Sequence, residues 1–341
     1  MSLLSLLIAL MAERSLSSQV WQFNYYYQHY LHFFSKNFTA KQGVAASAVF
    51  IILPVFVIYL ALTLIDNSLI ELLISTAILI ICFGCVTTRD SYKNYLQSSF
   101  SDDDTTAELH HQQLLSDKNL PEMGFGQALI WLNYRYYIAI MLFFTVFGAP
   151  GVVFYRLLTS VIEHKKEQCI VNAYKAQADV VSSVESDVID SAADNSVNSS
   201  VNSSVNSSVD DSVHSTVNNP EHDTAIEAEH ESNVTPSITA GCQNHHDLLF
   251  WLDWLPVRVA SFGYMLVGHF TNAMPVWLES LFDNTKPTHQ VLTDVAEKSE
   301  DIMVNKDDCT AEPCLLVRLA KRNVLLVLAI ISILTLVGLI N

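Results

Sequence analysis

Asp253 and Arg258 stand in Trp251-Leu-Asp-Trp-Leu-Pro-Val-Arg258, a stretch otherwise apolar enough to lie at membrane depth. On insertion scales a charge at the centre of a spanning helix costs about 2.5–3.5 kcal/mol, so such charges mark function or internal pairing. The same intrusion occurs at Asn133 and Arg135 in residues 127–147, at Arg156 in 152–161, at Glu13-Arg14 closing the first apolar run, and at Gly268-His269. Glu13, Arg14, Asn133, Arg135, Arg156, Asp253, Arg258 and His269 are therefore expected to meet in one polar interior. Arginines outnumber acids among them. A guanidinium grips a carboxylate or phosphate through two parallel hydrogen bonds, so the ligand chemistry that fits is anionic: a peptidoglycan fragment or a phosphate-containing molecule. The competing reading is that these groups pair with one another to satisfy a polar bundle interior. No glycine-rich phosphate loop, Ser-His-Asp order or zinc-ligand spacing is visible, so no catalytic residue, metal or cofactor is assigned.

The composition sets the class. Half of the 341 residues are hydrophobic and the mean hydropathy is +0.28, which suits a small polytopic membrane protein. The formal net charge of −17 is local in origin: between Lys175 and Arg258 there is no Lys or Arg but fourteen Asp and Glu. The rest is near neutral, with no broad basic surface for nucleic acid. Six cysteines in a chain this long do not make a disulfide framework. Cys82 and Cys85 read as packing residues at the end of an apolar run, and Cys309 and Cys314 flank a short loop. His110-His111 and His245-His246 are adjacent pairs, which do not share a helix face as metal ligands would, and read as surface residues.

The elements that must position the charges follow an all-α pattern. Residues 1–11 form an apolar run too short to span a bilayer, read as a buried or re-entrant helix. Residues 21–34 carry eight aromatic side chains at helical spacing, an amphipathic helix at the interface. Residues 44–65 and 68–86 form a helical hairpin about the Asp66-Asn67 turn; Lys36, Lys41, Arg89 and Lys93 place its ends in the cytoplasm. Residues 91–122 are polar, with a helix starting at Ser101-Asp-Asp-Asp104. Gly148-Ala-Pro-Gly151 breaks the third membrane-level segment, as a re-entrant corner or as a helix end. Residues 284–313 are polar with a helix over 290–304, and Arg318, Lys321 and Arg322 precede a last span over 324–340.

Three regions result. Residues 1–164 and 245–341 make one composite membrane domain. Residues 165–244, with the repeated Val-Asn-Ser-Ser tetrads at 197–208, form a disordered linker that cannot bury enough apolar area to fold. The fold class is an all-α polytopic membrane protein with interrupted or re-entrant helices. Five crossings place the linker outside and three place it in the cytoplasm; segment length favours the first, and Arg156, Lys165 and Lys166 the second.

Glu13-Arg14 with Trp21-Gln22, Ala128-Leu-Ile-Trp-Leu-Asn-Tyr-Arg135-Tyr-Tyr, Leu252-Asp-Trp-Leu-Pro-Val-Arg258 with Tyr264 and Gly268-His269, and Pro275-x-Trp277 before the basic-then-apolar tail together resemble the AmpE family. The resemblance covers roughly 1–160 and 245–341. It implies a multi-pass protein of the bacterial cytoplasmic membrane with a regulatory or sensory role in β-lactamase induction and cell-wall stress, partnered by the bilayer and by a protein of that response. That family is in turn distantly similar to the membrane-bound cobinamide-phosphate synthases. Their string of Glu, Asn and Asp is replaced here by Gln127, Trp131, Leu132 and Arg135. Metal-assisted chemistry needs hard oxygen ligands, so the resemblance implies that the synthase reaction is lost. The match of Pro256–Arg258 to the synthases' Pro-x-Arg implies an anion-binding arginine retained. A membrane enzyme or ligand-binding protein on that scaffold is the alternative to the regulator.

Overall fold

The computed structural model describes residues 2–13, 19–37, 44–83, 86–101, 103–165, 236–283, 285–300 and 311–339. Among them the regular structure is helical throughout. In chain order the helices are α1 (Ser2–Glu13), a 3-10 turn (Gln19–Trp21), α2 (Phe23–Asn37), α3 (Val44–Thr63), α4 (Ser68–Cys82), α5 (Val86–Phe100), α6 (Asp104–Asp117), α7 (Phe125–Lys165), α8 (Pro236–Val267), α9 (Phe270–Phe282), α10 (Thr288–Ser299) and α11 (Ala311–Leu336). Most of the expected linker, with its tetrads, lies outside the described residues. At its margins Lys165 closes α7, and 236–244 belong to the backbone of α8.

Two described helices are long and apolar enough to cross a membrane, Phe125–Lys165 and Glu312–Leu336. The first is not a straight rod. Arg135 and Glu163 would stand about 42 Å apart along one straight axis, yet their side chains meet at 3.1 Å. The rings of Phe143 and Tyr155 stack at 4.7 Å, and the Arg156 guanidinium sits 4.7 Å from the Tyr136 ring. The first two pairs are centred on Ala149 and the third on Val146, so α7 is two antiparallel legs. The corner is Gly148, whose φ of +69° lies in the left-handed region that favours glycine. Pro150, two residues on, has no N–H for the preceding turn. The expected break at Gly148-Ala-Pro-Gly151 is thus a reversal of the chain.

α3 and α4 follow one another across the expected turn, with Asn67 capping α4 through a 3.0 Å bond from the Leu69 amide. α1 packs along α4 and buries Leu6 and Ala9. α2 is aromatic as expected, but Phe23 and Tyr27 point inward while Tyr25, Tyr26 and Phe33 stay exposed. The Tyr30 hydroxyl donates to the Phe50 carbonyl at 3.0 Å, tying α2 to α3. α6 begins one residue past its capping residue Asp103, within the expected acidic run. The helix expected at 290–304 is observed at Thr288–Ser299.

His111 is not a plain surface residue: its Nε2 lies 2.8 Å from the Met123 carbonyl and its ring meets Phe125 edge-on. Cys82 is buried and free, as its packing role required, and Cys314 is also free; Cys85 and Cys309 lie outside the described residues.

α8 and α9 form a second antiparallel pair, turning at Gly268-His269. Phe262 meets Trp277 with ring centroids 5.2 Å apart, and the Trp277 indole donates to the Arg258 carbonyl. A Cβ on Gly268 would lie 2.4 Å from the Ser299 carbonyl oxygen, so glycine there admits the end of α10. α11 crosses α8 at Gly263, where a Cβ would fall 2.2 Å from Asn323 Oδ1. Asn323 is fully buried and donates to the Ala260 carbonyl at 3.0 Å, a polar contact made possible by a small residue on the facing helix.

Candidate functional site

The centre of the molecule is a short π-helical turn, Tyr134–Ile138, inside the first leg of α7. A π turn widens the helix by a residue and re-aims its side chains, and such turns occur often at functional sites. Here four successive side chains reach four different segments. The Tyr134 hydroxyl donates to Asp253 Oδ1 on α8 at 2.8 Å. Arg135 Nη1 donates to Glu163 Oε1 on the return leg at 3.1 Å. The Tyr136 ring receives the Arg156 guanidinium on one side and Lys118 at 5.5 Å. The Tyr137 hydroxyl donates to Glu13 Oε1 on α1 at 3.0 Å.

Asp253 is 1% exposed, and both Tyr134 and Tyr155 are fully buried beside it. Tyr155 adds a second donor to the same oxygen at 3.0 Å, and the positive charge of Arg135 lies within electrostatic reach. A buried carboxylate needs such a set, because an isolated charge in low dielectric is strongly disfavoured. Arg135 also stacks over Trp131, 5.3 Å from the ring centroid, a favourable cation–π placement. Glu13 is held by Arg89 of α5 together with Tyr137, so one carboxylate joins α1, α5 and α7.

The expected residues therefore divide. Arg135, Arg156 and Asp253 share the central cluster, with Glu13 on its flank through Tyr137. Asn133 immediately precedes the π turn, and its Oδ1 is buried without a partner among the described residues. Arg14 lies outside the described residues. Arg258 is turned away from the cluster. Its Nε donates to the Leu281 carbonyl at 3.1 Å, Nη1 to Trp254 at 3.1 Å, and Nη2 to Ser280 at 3.0 Å and Asp283 at 2.9 Å, while Trp254 stacks 4.1 Å from its guanidinium carbon. It satisfies the orphan carbonyls at the C-terminus of α9, a helix-capping role. His269 sits at the α8–α9 turn, where its amide donates to the Ser299 carbonyl at 2.6 Å and its Nδ1 lies 3.2 Å from the same oxygen.

Arg156 differs from the other arginines. It is 7% exposed and lies 4.9 Å from the Phe23 ring and 4.7 Å from that of Tyr136; its carbonyl accepts from the Thr159 hydroxyl, but its side chain makes no hydrogen bond or ion pair among the described residues. Its Nε and that of Arg135 are both buried without acceptors.

Sequence reading did not single out Tyr134, Tyr137, Tyr155, Glu163 or Arg89 as partners. One signal was available for Glu163: folding the chain about Gly148–Gly151 brings Arg135 and Glu163 to equal distance from Ala149. Nothing local marks Tyr155, because an aromatic residue in an apolar helix is ordinary. No group of three or more His, Cys, Asp or Glu among the described residues is arranged to hold a metal ion.

No solved structure matches this chain. The protein AmpE of Shigella flexneri is 37% identical over 91 residues, which cover 27% of this chain and 32% of that relative. The family described as regulatory signalling modulator protein AmpE matches residues 1–186 and 232–341, passing over 187–231 within the low-complexity stretch. With both the N-terminal helices and the α8–α11 half inside that match, the chain belongs to the AmpE family.

Proposed function

We propose that this protein is a multi-pass regulatory element of the bacterial cytoplasmic membrane acting in β-lactamase induction and cell-wall stress signalling. The family match supports the regulatory role. The observation that carries the reading in this chain is the π turn, which ties α1, α8 and both legs of α7 through buried polar contacts. A network that links segments through single side chains can transmit a shift at one segment to the others, as a modulator requires.

The proposed topology follows from the basic residues. Arg89, Lys93, Lys165, Arg318, Lys321 and Arg322 mark one end of the helices as cytoplasmic, and the α3–α4 turn and Gly148 lie at the other. On this arrangement α7 goes out and back, and the chain after Lys165 starts on the cytoplasmic side. Arg156 is the anchor for an anionic ligand, a carboxylate or phosphate: a buried guanidinium without an acceptor is costly until an anion meets it.

The test is genetic. In a strain lacking this chain, β-lactamase activity after exposure to a β-lactam should change, and the plasmid-borne chain should restore it. Unchanged induction in the deletion strain would remove the regulatory reading. Restoration by Arg156→Leu equal to wild type, with equal membrane insertion, would remove the anion site while leaving the regulatory role standing. Cysteines introduced at Ser68 and Asn94 should react with a membrane-impermeant maleimide from opposite sides.

A further inference from the structure

A cavity of about 920 Å³ opens at the end of the molecule that holds the α3–α4 turn, with no residue of the π-turn cluster in its lining. Its size is that of a small-molecule site. α1, α3, α4, the corner of α7 and the chain end at Leu339 all contribute to its wall. Among the residues that line it, Glu71 alone carries a charge, and it is exposed in the first turn of α4.

Tyr59 also lines it, and the serine and threonine hydroxyls around it are of two kinds. Thr63 and Thr145 donate to the Leu60 and Met141 carbonyls of their own helices, at 3.0 and 2.7 Å. Ser5 and Ser75 make no such bond among the described residues, although Ser5 is only 1% exposed. Neither Oγ is sealed from solvent, so each can exchange a water for a polar atom of a ligand. The lining also holds apolar side chains, among them Leu62, Leu72 and Phe147.

We infer that this cavity binds an amphiphile with a primary ammonium head, the ammonium on Glu71, polar head atoms on Ser5 and Ser75, and the alkyl chain along Leu62, Leu72 and Phe147. As the one charged group in the lining, the Glu71 carboxylate selects a cationic donor head over an anionic one. The site stands apart from the anion site at Arg156 and does not depend on it. The same head chemistry is offered by a free alkylamine and by an ethanolamine phospholipid.

The test uses the full chain carrying Ser75→Cys in nanodiscs of phosphatidylcholine and phosphatidylglycerol, with alkylation of residue 75 by N-ethylmaleimide followed by peptide mass spectrometry. Octylammonium should slow that alkylation, and octyl sulfate should not. In a Glu71→Gln background the half-protecting concentration should rise about fivefold, the size of an exposed ion pair. If that variant does not fold, Glu71→Asp, with its charge withdrawn by one methylene, should also weaken protection. Protection already present in phosphatidylethanolamine nanodiscs would identify the lipid as the source; protection arising from added octylammonium alone would identify a soluble amine. Equal protection by octyl sulfate, protection unchanged in both Glu71 variants, or a residue 75 that never alkylates would overturn the inference.

Discussion

Glu163 accepts a hydrogen bond from Arg135 at 3.1 Å across 28 residues of one helical run, a contact that exists because α7 doubles back. Arg135 is 9% exposed and Glu163 30% exposed in their side chains, so solvent screens the pair on one side. Arg135→Leu or Glu163→Leu should each lower stability by about 1–3 kcal/mol, less than for a fully enclosed pair. The exchange Arg135→Glu with Glu163→Arg should recover part of the loss, with a coupling of about 1 kcal/mol in a double-mutant cycle. Thermal unfolding in detergent measures both, and strict additivity of the two single changes would show that the contact contributes nothing.

The corner at Gly148 makes a separate prediction. A Cβ there would meet nothing closer than 3.7 Å, so the cost of a side chain is conformational and not steric. Gly148→Ala should destabilise by about 1–2 kcal/mol, and Gly148→Asn by less, since asparagine tolerates the left-handed region better. Cysteines replacing Phe143 and Tyr155 should cross-link readily with a short bifunctional reagent, because their rings stack at 4.7 Å. On a straight helix they would be about 18 Å apart and would not react together.

Arg258 closes the end of α9 with three hydrogen bonds to carbonyls. Arg258→Lys keeps the charge but loses the planar fork, so it should not rescue Arg258→Leu by more than a fraction. Both changes should destabilise by about 2 kcal/mol or more and raise backbone exchange at 278–283. Hydrogen-exchange mass spectrometry reads this directly. Protection at 278–283 equal to wild type would mean that the cap is not what fixes α9.

Asp103 gives a pH prediction outside the membrane-level helices. Its carboxyl is held below the usual range, first by the Thr106 hydroxyl and then by the Thr105 hydroxyl and the Thr106 amide. A lowered folded value means that the cap's contribution is full above the unfolded carboxylate pKa and is lost as pH falls through the lowered one. Exchange protection of 104–107, corrected for intrinsic rates, should hold at about pH 5 and fade towards about pH 3. In Asp103→Asn the same protection should be flat over that window, as an amide cap does not titrate.

The residues that sequence alone determined are those whose signal is local. The α3 and α4 runs, the turn at Asp66-Asn67, the N-terminus of α6 and the corner at Gly148-Ala-Pro-Gly151 all follow from apolar length, capping chemistry and the backbone limits of glycine and proline. That Asp253, Arg135 and Arg156 lie inside was also legible, since charges in apolar runs avoid lipid. Which partner each one meets was not. Tyr134 and Tyr155 reach Asp253 from two legs of a hairpin, and Arg258, five residues from Asp253, turns the other way to cap a helix. Hydrogen-bond partners are chosen by the angle at which helices cross and by a widened turn that re-aims four side chains. Those are properties of packing in three dimensions, and no window of the sequence contains them.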